Sequence, residues 1–137
     1  MPEHGTFIWN ELATTDPEKA KAFYREIAGW TYEDVDKTNP QEPAKQDAQA
    51  YTLCKVGDAM AGGMMKMEGP QWQGIPPHWL SYLCVDDVDA AVAKVEPAGG
   101  SVKLQPFDVP TVGRIAVVGD PTGAVVCLMA TTEEKPS

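Results

Sequence analysis

The sequence predicts an α+β fold built from two βαβββ modules, and three observations carry that expectation. The series strand, aspartate cap, helix and glycine stop occurs twice. Residues 6–12 lead to Asp16-Pro17 and a helix closing at Gly29, while residues 78–85 lead to Asp86-Asp87 and a helix closing at Gly99-Gly100. In each half, apolar runs then alternate at a period of two, with glycine-containing turns between them. The third observation is length: 137 residues suit one domain of two such halves. The reading is a single domain 1–137, with module one at 5–67, a linker at 68–77 and module two at 78–132. Two copies of a curved sheet facing each other enclose a cavity, so the repeat itself points to a small guest.

Along the first strand, Phe7, Trp9 and Ala13 alternate with Ile8, Asn10 and Leu12, and Glu11 falls on the Trp9 face. This pattern predicts a strand buried on both sides. Asp16 caps the next helix, Pro17 fits its first turn and Glu18 complements the positive end of the dipole. Ala20, Phe23, Tyr24 and Ile27 recur at helical spacing as its apolar stripe, and Gly29 supplies a left-handed stop. Residues 33–50 are polar, contain Pro40 and Pro43, and read as a long irregular loop. Residues 51–56 and 59–67 flank Gly57-Asp58 as a hairpin, and Gly62-Gly63 marks a bulge or the close approach of another group.

The 68–77 linker carries Trp72 among glutamines, glycines and prolines. In the second module Val88, Ala91, Val92 and Val95 form the helix stripe, and residues 101–105 form a short strand. Residues 114–118 and 124–129 form a hairpin around Asp120-Pro121-Thr122-Gly123, a type I turn followed by a glycine in the left-handed region.

Composition narrows the function. With 20 acidic and 11 basic residues the formal net charge is −9, which repels a phosphate backbone and argues against nucleic acid as a partner. The same charge attracts a cationic small molecule. No apolar run reaches membrane-spanning length, and residues 1–4 lack a signal-peptide pattern, so a cytoplasmic protein with no membrane partner is expected. Cys54, Cys84 and Cys127 sit in apolar alternating stretches without paired spacing and read as small buried hydrophobes rather than a disulfide framework.

The residues 11–16 (ELATTD), Ala22-Phe23-Tyr24 and Gly29-Trp30, together with residues 85–91 (VDDVDAA), Ala98-Gly99-Gly100 and residues 119–124 (GDPTGA), resemble the vicinal oxygen chelate superfamily. That superfamily includes glyoxalase I, extradiol dioxygenases, fosfomycin resistance proteins and bleomycin-binding proteins, and the resemblance covers nearly the whole chain. It implies a half-open mixed-sheet barrel and a homodimer. In metal-using members the ligands come from the first and last strands of each module. Carried over by position, they fall at Trp9, Leu80 and Cys127, and near Gly62 or Gly63. None is the His or Glu that the family uses, so no metal and no cofactor are expected at those positions.

What replaces the ligands then lines the cavity. Glu11 and Tyr82 are equivalent under the repeat and share faces with Trp9 and with Leu80 and Cys84, respectively. A carboxylate within an apolar strand is costly unless paired or used. Glu11 is therefore either a cation-binding or general-base group, or a buried partner of Tyr82, Arg114 or backbone amides. The candidate ligand-binding residues are Trp9, Glu11, Leu80, Tyr82, Arg114, Cys127 and Trp72. Catalytic residues are not assigned. His4 and His78 each precede the first strand of a module and read as solvated strand-edge residues.

The resemblance and the missing ligands imply a binder of a small molecule, with a cation favoured by the acidic balance. The alternative is a metal-dependent glyoxalase-like lyase or dioxygenase that recruits its ion through Glu11, His78 or Cys127. A further alternative is an accessory subunit paired with a different chain.

Overall fold

The structure, a computed structural model, describes residues 3–36, 39–43, 50–109 and 112–131. It is α+β, and its chain forms two compact units. One comprises residues 10–79. The other joins residues 3–9 to residues 80–131, so strand β1 (Phe7–Thr14) and strand β6 (His78–Cys84) each contribute to both. Among the described residues, no helix is long and apolar enough to cross a membrane.

The unit of residues 10–79 contains the end of β1, helix α1 (Pro17–Ala28), β2 (Thr31–Asp36), β3 (Asn39–Pro43), β4 (Ala50–Val56) and β5 (Ala59–Lys66), then a single 3₁₀ turn (Pro70–Trp72). Its strands run in the order β3-β2-β4-β5-β1. The β1–β5 pair is parallel and the others antiparallel. α1 starts where Asp16 Oδ1 accepts a hydrogen bond from the Lys19 amide at 3.1 Å. It stops at Gly29, whose φ of +73° is the left-handed conformation that glycine adopts at low cost. Leu12, Cys54 and Met64 on one sheet face pack with Ala20 and Tyr24 of α1, and with Trp30 and Tyr32.

Three expectations for this unit need correction. The segment 33–50 is not one irregular loop, because β2 continues through Asp36 and β3 occupies residues 39–43; residues 37–38 and 44–49 lie outside the described residues. The polar side chains of β2 are satisfied by its neighbours: Glu33 meets Lys55 at 3.2 Å, and Asp34 accepts from Thr52 Oγ1 and meets Lys21 at 3.4 Å. β1 is buried on both sides only over Glu11–Thr14, the stretch that β5 pairs; before it, Phe7 is 64% exposed. Finally, Phe23 and Ile27 point outward, and the inner side of α1 is Ala20, Lys21 and Tyr24.

The other unit holds β6, helix α2 (Val88–Ala93), β7 (Ser101–Val109), β8 (Gly113–Gly119) and β9 (Val125–Thr131), with strand order β6-β9-β8-β7. β6 and β9 are parallel. The expected stripe packs as read, with Val88, Ala91, Val92 and Val95 against Val85, Ala116, Val118 and Leu128. Asp87 Oδ1 caps α2 through the Ala90 amide at 3.0 Å. The helix ends at Ala93 rather than running on to Gly99: Lys94 and Val95 already bond three residues back, to Ala91 and Val92, and Pro97 has no amide hydrogen to give the Ala93 carbonyl. Turns carry the chain to Gly99 (φ +96°) and Gly100. The β8–β9 turn forms as expected: Asp120 Oδ1 accepts from the Thr122 and Ala124 amides at 2.8 and 3.1 Å, and Gly123 has φ +100°.

Gly62 is a close approach as well as part of an irregular register. A Cβ there would lie 2.6 Å from the Asn10 carbonyl oxygen of β1, and the β4–β5 register shifts beside it. Backbone cannot swing aside as a side chain does, so Gly62→Ala is expected to destabilise the protein by about 1–3 kcal/mol, read from the urea midpoint at unchanged m-value.

Candidate functional site

In the unit of residues 10–79, α1 covers the Leu12, Cys54 and Met64 face of the sheet. Strand alternation places Glu11, Ala13, Tyr51, Leu53, Gly63 and Met65 on the other face. Leu53, Tyr51 and Met65 are half-buried there, and Glu11 is buried at 7% exposure. The register sets Glu11 opposite Gly63 on β5 and Gly63 opposite Leu53 on β4. Gly63 has no side chain, and the Tyr51 hydroxyl fills the place its Cβ would take. From there Tyr51 Oη donates to Glu11 Oε1 at 2.9 Å. A buried carboxyl group costs free energy unless it is hydrogen-bonded, and the phenol supplies such a bond while fixing its rotamer.

The second unit carries the equivalent arrangement with different chemistry. Tyr82 on β6 is the register partner of Cys127 on β9, just as Glu11 is that of Gly63. Tyr82, Cys127, Ile115 and Met129 form a buried apolar cluster against which Trp9, Leu80 and Val117 pack. The structure thus gathers Trp9, Leu80, Tyr82 and Cys127 in one place. Cys127 is fully buried and its thiol donates to the Leu128 carbonyl at 3.6 Å.

Two candidates lie elsewhere. Arg114 is on the α2 side of its sheet, where Nε and Nη2 donate to Asp89 at 2.8 and 3.1 Å and Nη1 donates to Asp108 at 3.2 Å. These bonds hold the Asp89 carboxyl below the usual carboxylate range and push the guanidinium up. Arg114 therefore ties β8 to α2 and β7. Trp72 is half-buried in the 3₁₀ turn, its ring 6.3 Å from that of His78. His78 Nδ1 lies 2.9 Å from the Pro76 carbonyl oxygen, and His4 Nδ1 accepts from the Asp86 amide at 2.9 Å.

Tyr51 is the residue beside Glu11 that the sequence analysis did not pick out. Period-two counting from Leu53 puts it on the Glu11 face, but the strand register that brings the two together is not written in either segment. Among the described residues no three His, Cys, Asp or Glu side chains converge as a metal ion requires.

The model of the Glyoxalase/Bleomycin resistance protein/Dioxygenase superfamily matches residues 6–128. The chain is 42% identical over 127 residues to "Putative glyoxylase CFP32" of Mycobacterium bovis (strain ATCC BAA-935 / AF2122/97), covering 93% of this chain and 44% of the relative. It is 30% identical over 131 residues to "Anthracycline biosynthesis protein DnrV" of Streptomyces peucetius, covering 88% of this chain and 45% of the relative. The chain thus spans less than half the length of these relatives. A methylmalonyl-CoA epimerase structure from Mycobacterium tuberculosis superposes with a TM-score of 0.62 at 14% identity, covering 96% of this chain and 93% of that one. At that identity the likeness shows a shared fold.

Two outcomes follow from this geometry. Tyr51→Phe removes a hydrogen bond to a buried charge and is expected to cost about 1.5–3 kcal/mol of stability, measured by urea denaturation. Burial pushes the Cys54 thiol up to about 11 against the opposing pull of Lys21. In the unfolded chain a thiol ionises near 8.5, so between about 9 and 11 the folded state holds a proton the unfolded state has lost. Stability should therefore fall as pH rises through that window, and Cys54→Ala should flatten that part of the melting-temperature profile.

Proposed function

The chain belongs to the Glyoxalase/Bleomycin resistance protein/Dioxygenase superfamily, and from that premise we propose that it binds a small organic cation through Glu11. The observation that carries the reading is the buried carboxylate on the sheet face opposite α1, oriented by Tyr51. The phenol holds the carboxyl in one direction, so little rotamer freedom is lost when a donor arrives. A negative charge with reduced access to water attracts a cation more strongly than it would on the surface. Leu53 and Met65 flank it with apolar surface suited to the organic part of such a ligand. The acidic balance of the whole chain, −9, steers in the same direction. The family's ligand positions on this chain, Trp9, Leu80, Cys127 and Gly62 or Gly63, supply an indole, an isobutyl group, a thiol and no side chain, which favours a guest held without a metal at those positions.

A second reading, metal-dependent lyase or dioxygenase chemistry through unorthodox ligands, is favoured by the word glyoxylase in the name of the mycobacterial relative. Metal analysis divides the two: stoichiometric nickel, zinc or iron on the purified protein supports the second and overturns the first.

For the first reading, thermal melts against a panel of primary amines and quaternary ammonium compounds supply the test. A binder at a hundredfold excess over its Kd raises stability by about 2.7 kcal/mol. Glu11→Gln should keep the circular dichroism spectrum and weaken binding at least tenfold, about 1.4 kcal/mol. Undiminished binding by Glu11→Gln would remove the proposal.

A further inference from the structure

Strand register places a second carboxylate in line with Glu11. Glu11 on β1 pairs with Gly63 on β5, Gly63 with Leu53 on β4, and Leu53 with Glu33 on β2. Register partners share a face of the sheet, so this row crosses four strands on the side opposite α1, with an acid at each end. The residues flanking Glu33 agree with that side: Tyr32 packs with the Leu12, Cys54 and Met64 cluster under α1, and Asp34 meets Lys21 of α1. Strands lie about 4.8 Å apart, so three steps put the Cα atoms of the two glutamates about 14 Å from each other.

Between the acids stand Leu53, half-buried, and Gly63, over which the Tyr51 hydroxyl reaches to Glu11. One flank of the row is walled by Val35 and Tyr51, register partners on β2 and β4, and by Ala13 and Met65, partners on β1 and β5. The result is a largely apolar strip with negative charge at both ends. The ends differ in their access to water. Glu11 is buried, whereas the Glu33 side chain is 55% exposed and meets Lys55 Nζ at 3.2 Å. An exposed ion pair of this kind holds its partners weakly, so Lys55 can yield Glu33 to another ammonium group.

We propose, resting on the reading of Glu11 as the cation site, that the ligand of this face is an elongated aliphatic diammonium ion, a diamine or polyamine. One ammonium group sits on Glu11 and the other on Glu33, with the methylene chain lying over Leu53. A diamine much shorter than the row reaches one carboxylate at a time, and one that spans it reaches both.

Isothermal titration calorimetry on the full chain at neutral pH and fixed salt tests it, with octylamine, trimethylenediamine and octamethylenediamine as probes. Glu33→Gln should weaken octamethylenediamine about fivefold, the scale of one exposed charge pair, and change the other two by less than about twofold. Glu18→Gln makes the same change of net charge at an exposed position on α1 and should leave all three as they are. Lys55→Gln removes the competing ammonium group, keeps the carboxylate, and should tighten octamethylenediamine about threefold; this variant decides if Glu33→Gln fails to fold. The inference is overturned if octamethylenediamine binds Glu33→Gln as it binds the wild type, if octylamine loses as much, or if Lys55→Gln brings no gain. The Glu11 assignment survives those outcomes as long as Glu11→Gln loses every amine, whereas a wild type that binds none of the three overturns both.

Discussion

A β-sheet has two faces, and among the described residues each unit of this chain has one α-helix. That inequality organises the molecule. In residues 10–79 the helix takes the face carrying Leu12, Cys54 and Met64; in the other unit it takes the face carrying Ala116, Val118 and Leu128. Burying those apolar side chains, at about 25 cal/mol per Å², docks each helix and commits the alternate residues of every strand to the opposite side. Glu11 and Tyr82 are where they are because they neighbour Leu12 and Leu83, which the helix faces claim. The candidate site is in this sense the remainder left after the core is built.

The polar residues divide along the same line. On the helix side they act as ties between elements: Lys21 meets Glu18 and Asp34, Asp34 accepts from Thr52, and Arg114 joins Asp89 to Asp108. These contacts are partly exposed and each contributes modestly. Glu11 differs in being buried in the floor of a sheet and paired with a phenol reached across two strands, at a glycine that leaves room for it. A carboxyl so placed costs stability relative to an apolar residue of similar size unless its hydrogen bonds offset the burial.

Local signals were legible and long-range ones were not. Asp16, Gly29, Asp87 and the Asp120–Gly123 turn each declare themselves within four residues, and each forms as read. β2 was illegible because Glu33 and Asp34 look solvated until Lys55 and Thr52 are brought beside them by strand pairing. The early end of α2 goes with the three-residue bonds of Lys94 and Val95 and with Pro97, which has no amide hydrogen to give the Ala93 carbonyl. Glu11 stood out alone in sequence as a carboxylate in an apolar run, whereas its partner Tyr51 depends on a register that no local pattern encodes. Phe23 and Ile27 have the spacing of a core stripe yet are exposed, and periodicity alone does not say which side of a helix its sheet will cover.

The two halves of the repeat have diverged in ways that make them non-interchangeable. At equivalent strand positions one has a carboxylate beside a glycine, and the other has a phenol beside a thiol within a closed apolar cluster. The helices have diverged in parallel. α1 runs for 12 residues and displays an aromatic and a branched aliphatic side chain outward, while α2 runs for six and buries Val88 with Ala91 and Val92 against its sheet. At six residues the second helix makes fewer than two turns. The buried carboxyl of Glu11 and the outward Phe23 and Ile27 therefore both fall to residues 10–79, and among the described residues the other unit contributes an apolar interior with neither feature.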